Sequence, residues 1–482
     1  MAPHPGYYIL AYYTCCMNFR FTDREQELDY IETMYRQQGA QLLVVYGRRR
    51  LGKTTLLKRF AENKPTVYYM ADRGGIQSQR DALARSMAAC LNEPLLASAQ
   101  FNDWYALFES FERVRPADGK LVLIIDEYQY LCQADKAFSS YLQKWWDEHW
   151  KDRNLLLILC GSVTSMMHRE TLAQSSPLYG RSNGSILLQP IPYTHIREFC
   201  DNETQTALVE RYALCGGVPR YLELLEPFTQ FDEALKKGIL NELSPLYREA
   251  RNLLLDEVDV PNTCWSILEA VSGGATRISE IASKLRLPAN QLTRYLALLR
   301  DLSIIGREVP VSEKNPAKSK KGIYKVTDPF LRLWFGCVYP YESLFEFGNI
   351  DEGTKRIRPQ IERHIQDVYE ELCRLYVKKH MIKFGCVRIG RQWGRHYELD
   401  VAGVDKTNSL RLAGECKWSV NKVGLSILHE LQDTVKEAGV PVSDRVQYML
   451  FSKSRFTDEL KELAATRENL QLIESVFDID TN

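Results

Sequence analysis

The chain has 482 residues, 45% hydrophobic and 26% charged, with 62 basic side chains against 62 acidic ones. That length exceeds a single hydrophobic core and predicts two to four domains. The balanced charge excludes a chain drawn as a whole to nucleic acid or membrane, so any nucleic-acid site must be a local patch. No run reaches the roughly 20 apolar residues that a membrane-spanning helix requires. Twelve scattered cysteines, without a CxxC pair or a Cys/His cluster at zinc spacing, predict buried reduced thiols and a cytoplasmic location.

Residues 1–17 are expected to be an N-terminal extension, with Met17 as the natural start. Pro3, Pro5 and four tyrosines make no clean apolar segment, and neither a leading Lys or Arg nor a small-residue cleavage site marks a signal peptide. An amphipathic helix follows to about Gln38, with Thr22 or Asp23 as its N-cap. Residues 41–46 then predict a buried parallel strand. It runs into Gly47, Arg48, Arg49, Arg50, Leu51, Gly52, Lys53, Thr54 and Thr55, the phosphate-binding pattern GxxxxGK[ST]. Helical sequence follows the loop directly, so backbone N–H groups and a helix N-terminus face the anion. Lys53 is expected to reach the β- and γ-phosphates of ATP, and the Thr54 hydroxyl to ligate Mg²⁺. The three arginines are expected to be exposed on the loop rather than catalytic.

A short strand at residues 66–70 and a helix from about Gln77 to Leu91 come next. Residues 121–125 form a second continuous apolar strand ending in Asp126 and Glu127. Acids at the C-terminal end of a parallel strand lie beside such a loop. Asp126 is expected to hold Mg²⁺ through water and Glu127 to polarise the attacking water. The strand at 66–70 suggests an extra strand inserted between the two motif strands, as in ATPases that use a catalytic glutamate. A third apolar strand, 154–160, ends at Ser162, which either senses a γ-phosphate or caps the next helix. Arg181, after Gly180, is a candidate for transition-state charge, in cis or from a neighbouring subunit of a homo-oligomer. The turn at Gly216-Gly217-Val218 could bring Pro219 or Arg220 near the nucleotide.

Gly47 to Thr54, Asp126-Glu127, Gly161-Ser162, Gly180-Arg181 and Gly216 to Pro219 together resemble the archaeal-type ATPase family, related to STAND and AAA-like ATPases. The resemblance runs from about residue 18 to the end. It implies a five-stranded parallel ATPase core followed by a winged helix, with ATP and Mg²⁺ bound.

Three helical stretches (residues 262–271, 278–285 and 288–300) precede two strand-like ones, 304–311 and 322–326, the pattern of a winged helix-turn-helix. Its third helix exposes Asn290, Gln291, Thr293 and Arg294, and its hairpin loop carries Lys314, Lys318, Lys320 and Lys321. That set suits DNA contact, and equally a solvated loop on a protein-binding module. Asp328 to Phe335 is expected to be an aromatic core helix. A long helix from Pro359 to Met381 carries Glu362, Glu370 and Glu371. Strands are expected at 383–389, 395–403 and 409–417, with a turn at Asp405 to Asn408. Alternation puts Glu398 and Asp400 on one face, and Glu415 and Lys417 on one face. The hairpin thus can gather Asp400, Glu415 and Lys417, two carboxylates to hold Mg²⁺ against a phosphodiester and a lysine to steady the developing charge. The region resembles the PD-(D/E)xK nuclease superfamily, with Glu370 matching its auxiliary acid. Leu399 stands where the motif has Pro, and surface ion pairs on an ordinary hairpin are the alternative.

The expected class is therefore α/β: a P-loop parallel-sheet ATPase core with a helical lid (18–225), a winged helix-turn-helix (226–335) and a restriction-endonuclease-like α/β domain (336–482). The function expected is ATP hydrolysis coupled to DNA binding and Mg²⁺-dependent cleavage. The competing expectation is a STAND-like signalling switch that binds DNA or protein without cutting.

Overall fold

β1 (Gln41–Tyr46) has no polar face, and a five-stranded sheet forms around it. The computed structural model describes residues 21–116, 118–162, 164–200, 203–258 and 260–477. The N-terminal extension and Met17 lie outside them. The chain divides into two units. One comprises residues up to Phe199 with Val218–Leu224, and the other Cys200–Gly217 with residues from Leu225 onward.

In the first unit α1 (Glu25–Arg36) precedes β1. Its N-cap is Arg24, and no side chain bonds the cap; Thr22 and Asp23 do not serve. The Arg24 guanidinium instead donates to the carbonyls of Leu51 and Gln189, at 3.3 and 2.7 Å. After β1 come α2 (Lys53–Ala61), β2 (Thr66–Met70) and α3 (Ile76–Leu91). They are followed by α4 (Trp104–Val114), β3 (Leu121–Asp126), α5 (Tyr128–Ala134), β4 (Leu155–Gly161) and β5 (Gly184–Leu187). All strands are parallel, in the order β2-β3-β4-β1-β5.

This order corrects one expectation. The strand lying between the two motif strands is β4, not β2, which sits at the sheet edge beyond β3. The burial patterns give the reason. β3 and β4 are buried at every position, as strands covered on both faces must be, whereas β2 alternates and ends exposed. Covering helices use aromatic bulk: α4 buries Trp104, Leu107, Phe108 and Phe111 at helical spacing, and Trp104 meets Phe138 edge-on at 4.6 Å.

α6 (Gln205–Cys215) belongs to the second unit, and the short helix α7 (Pro219–Leu225) to the first as far as Leu224; in the second unit α6 is followed by α8 (Glu249–Glu257). Three helices come next: α9 (Pro261–Ser272), α10 (Ile278–Leu285) and α11 (Ala289–Asp301). β6 (Ile305–Glu308) then pairs antiparallel with β7 (Ile323–Val326). The β7 residue Tyr324 also donates its N–H to Thr276 O, just ahead of α10, at 2.7 Å. α12 (Pro329–Leu333) and the turns after it bury Phe330, Trp334 and Phe335, a core segment as expected.

α13 (Ile350–Lys379) starts nine residues earlier than expected, with Pro359 in its interior. Gly353, Thr354 and Ile357 are buried on the same helix, so tertiary packing carries it through the proline. The turns after α13, with Gly385 at φ +65°, delay β8 (Arg388–Trp393) to residue 388. β9 (Glu398–Val404), β10 (Leu410–Lys417), α14 (Leu425–Glu437), β11 (Val442–Ser452), α15 (Asp458–Thr466) and β12 (Leu470–Ile473) complete the chain. The second sheet runs β12-β11-β10-β9-β8, antiparallel across β8-β9-β10 and parallel across β10-β11-β12. The two parallel steps are bridged by α14 and α15, since parallel neighbours need a crossover. The described cysteines are all free thiols, and no helix among the described residues is long and apolar enough to cross a membrane.

Candidate nucleotide cleft and carboxylate cluster

The loop leaving β1 turns on two glycines. Gly47 has φ +149°, and a Cβ there would lie 2.6 Å from Leu188 O. Gly52 has φ +87°, and a Cβ there would meet nothing within 4 Å, so the loop wraps open space. A cleft of about 250 Å³ lies over it. Arg49, Arg50, Leu51, Gly52, Lys53, Thr54 and Thr55 line it, together with Glu127 and Ser162. Phe21, Ile191, Pro219 and Arg220 also belong to the lining.

Lys53 is buried and donates to Gly47 O and Arg48 O, at 2.7 and 3.0 Å. The Thr54 hydroxyl donates to Asp126 Oδ2 at 2.8 Å, and the Tyr68 hydroxyl donates to the same oxygen at 2.6 Å. Burial first, and the Asp126 carboxylate second, push the Tyr68 phenol upward, so it stays a donor. Thr54 and Asp126 thus present two hard oxygen ligands side by side at the start of α2, and this donor set fits Mg²⁺. Glu127 has φ +54° and heads α5, and its N–H donates to Asp126 Oδ1 at 2.9 Å. Ser162 is fully buried and donates to Glu127 Oε2 at 2.8 Å.

The three loop arginines differ from the expectation of simple exposure. Arg48 is buried. Arg49 donates to the Tyr130 hydroxyl at 2.7 Å, and Arg50 lies over the Tyr221 ring at 5.9 Å. Arg181 is not among the cleft residues. Its guanidinium grips Asp147 through two bonds, at 2.8 and 2.6 Å, and donates to Pro177 O at 3.0 Å.

In the second unit Gly414 of β10 pairs with Val401 of β9, which sets Asp400 beside Glu415. Asp400 Oδ2 accepts the Cys416 N–H at 2.9 Å, and Lys417 Nζ donates to Glu415 Oε1 at 2.6 Å. Burial, then the Glu415 charge, raises the Asp400 carboxyl to about 6. Burial, then the Asp400 charge, raises Glu370 on α13 to about 7. The fold therefore brings Asp400, Glu415, Lys417 and Glu370 into one crowded acidic site. The oxygen ligands are of the kind Mg²⁺ takes, yet among the described residues no group of three or more His, Cys, Asp or Glu side chains could hold a metal ion. Asn290, Gln291, Thr293 and Arg294 of α11 and Lys314, Lys318, Lys320 and Lys321 are all exposed.

Three positions escaped the sequence. Tyr68 and Gln129 reach the cleft acids, Gln129 through the carboxylate of Glu127. Gln366 donates to Glu370 Oε1 and to Cys416 O, each at 3.0 Å, and accepts from the Trp418 N–H at 2.8 Å. Only Gln366 left a signal, its i, i+4 spacing from Glu370.

Comparison with known proteins agrees with the cleft. The family described as an ATPase domain predominantly from Archaea matches residues 21–225. A second, described as archaeal and bacterial proteins of unknown function, matches residues 334–427. An uncharacterized protein of Methanocaldococcus jannaschii is 32% identical over 403 residues, 83% of this chain and 87% of that one. An uncharacterized ATP-binding protein of the same organism is 48% identical over 44 residues, 9% of this chain and 75% of that one. Among solved structures, a Walker-type ATPase of Pyrococcus abyssi aligns at TM-score 0.48 and 22% identity, over 65% of this chain and 96% of that one.

Proposed function

Since this chain belongs to the family of ATPases found predominantly in Archaea, we propose that it binds and hydrolyses ATP and that its second unit contacts DNA and cleaves it. One observation carries the first part: Lys53, Thr54, Glu127 and Ser162 line one cleft at the C-terminal ends of adjacent parallel strands, with Asp126 bonded to Thr54. Lys53 exchanges its two loop carbonyls for phosphate oxygens. Thr54 and Asp126 would hold Mg²⁺, which when bound neutralises phosphate charge. Glu127 accepts a proton from the attacking water. ATP turnover by wild type, Lys53→Ala and Glu127→Gln tests this; turnover unchanged in either variant refutes the assignment.

The DNA reading is supported by the three helices and β-ribbon with their exposed lysines, taken as a winged helix, and by the Asp400, Glu415, Lys417 and Glu370 cluster. In that cluster Asp400 and Glu415 would hold Mg²⁺, and Lys417 would steady phosphate charge. A second reading has its own observation: Lys417 is spent on Glu415, and among the described residues no three-ligand group is formed. This second unit would then bind DNA or a protein without cutting, as in a signalling switch. Plasmid cleavage with Mg²⁺, with and without ATP, by wild type, Lys53→Ala and Lys417→Ala separates the two. Cleavage that survives Lys417→Ala removes the nuclease assignment.

A further inference from the structure

Gln129 stands two residues beyond Glu127, in the first turn of α5, and is wholly buried. Its amide nitrogen donates to Glu127 Oε2 and, at 3.1 Å, to Ser162 Oγ. Ser162 in turn donates to Glu127 Oε2 at 2.8 Å. Three side chains from two strand ends thus close a ring of hydrogen bonds. Both donors act on Oε2, which leaves Oε1 of Glu127 for the water.

Two features argue against a stability role for this amide. Its Oε1 is buried without a hydrogen-bond partner, a costly arrangement that a methionine or leucine of similar volume would avoid. Space is also kept open for it. A Cβ on Gly161 would come within 2.3 Å of Met167 Sδ and 2.4 Å of Gln129 Oε1, so the glycine preceding Ser162 leaves room for both the methionine and the amide.

We propose that Gln129 is a positioning residue: it fixes the carboxylate of Glu127 so that one oxygen faces the substrate water, and it commits Ser162 to that carboxylate. The proposal rests on the ATP-hydrolysis reading. A misaimed base of this kind costs about 10²-fold in rate. The test compares wild type, Gln129→Met, Glu127→Gln and the double variant for steady-state ATP turnover with Mg²⁺, and measures binding of a fluorescent ATP analogue to each. Gln129→Met is expected to lower kcat about 30- to 100-fold, with KM and analogue binding within about twofold of wild type. In the Glu127→Gln background it should cost nothing further, because a residue acting only through Glu127 has nothing left to position. A kcat within about twofold of wild type, a loss confined to KM, or a full additional loss in the double variant overturns the assignment. Wild-type protein that turns over no ATP overturns the hydrolysis reading itself, a different result from turnover that Gln129→Met leaves intact.

Discussion

Lowering the pH from 7 to 5 should cost the second unit about 2 kcal/mol through one side chain, His364. This residue lies on α13, is 4% exposed, and has Nε2 2.8 Å from Ala213 O, so Nε2 carries the proton and donates. Nδ1 is buried with no hydrogen-bond partner. Burial, and next the Arg332 guanidinium, lower the imidazole from 6.5 to about 3. The folded value is depressed, so between those values the unfolded chain binds more protons than the folded one. The stability is therefore present above 6.5 and is lost as the pH falls toward 3. Between pH 7 and 5 the linkage amounts to about 1.4 pK units, hence ~2 kcal/mol. Urea unfolding followed by tryptophan fluorescence at both pH values, for wild type and His364→Gln, measures it. The glutamine amide can still donate to Ala213 O but does not titrate. The variant should lose less stability on acidification than wild type by about that amount. Equal losses in the two proteins, within about 0.5 kcal/mol, would refute the reasoning.

Three further outcomes are expected. Gly47→Ala forces a Cβ to 2.6 Å from Leu188 O and should abolish binding of an ATP analogue, with a stability loss of about 2 kcal/mol by thermal unfolding. Glu371 holds Lys325 and Arg332, each at 2.7 Å; Glu371→Gln takes the carboxylate from Arg332, while Lys325 keeps Glu308, and should destabilise the second unit by about 3 kcal/mol in denaturant titration. Replacing Lys318, Lys320 and Lys321 by Ala should weaken duplex binding and flatten the log-log salt dependence by about 2 to 3 in slope, and an unchanged slope would remove the ribbon loop from the DNA interface.

What the sequence could disclose follows the range of the interactions involved. The phosphate loop is one contiguous run whose glycines, lysine and threonine are set by local backbone geometry, so it was legible residue by residue. β1, β3 and β4 were legible as continuous apolar runs, yet their spatial order was not, because crossover helices let any later strand fall beside β1. The alternating burial of β2 marks it as an edge strand, but its sequence, Thr66-Val67-Tyr68-Tyr69-Met70, does not alternate and carries no such hint. Pro359 misled the helix boundary for the same reason: a local breaker signal was outweighed by tertiary packing along α13. Side chains that act on other side chains were the least visible. Gln129 reads as an ordinary helical glutamine until β4 places Gly161 and Ser162 against it. The β9–β10 hairpin shows both limits at once. Its turn at Asp405 to Asn408 is fixed locally, with Asp405 Oδ1 accepting from the N–H groups of Thr407 and Ser409, so the approach of Asp400 to Glu415 could be anticipated. Period-two alternation also puts Glu415 and Lys417 on one face. The same adjacency that recommends them as a catalytic pair lets them neutralise one another at 2.6 Å, and only an approaching phosphate or cation can decide which partner the lysine keeps.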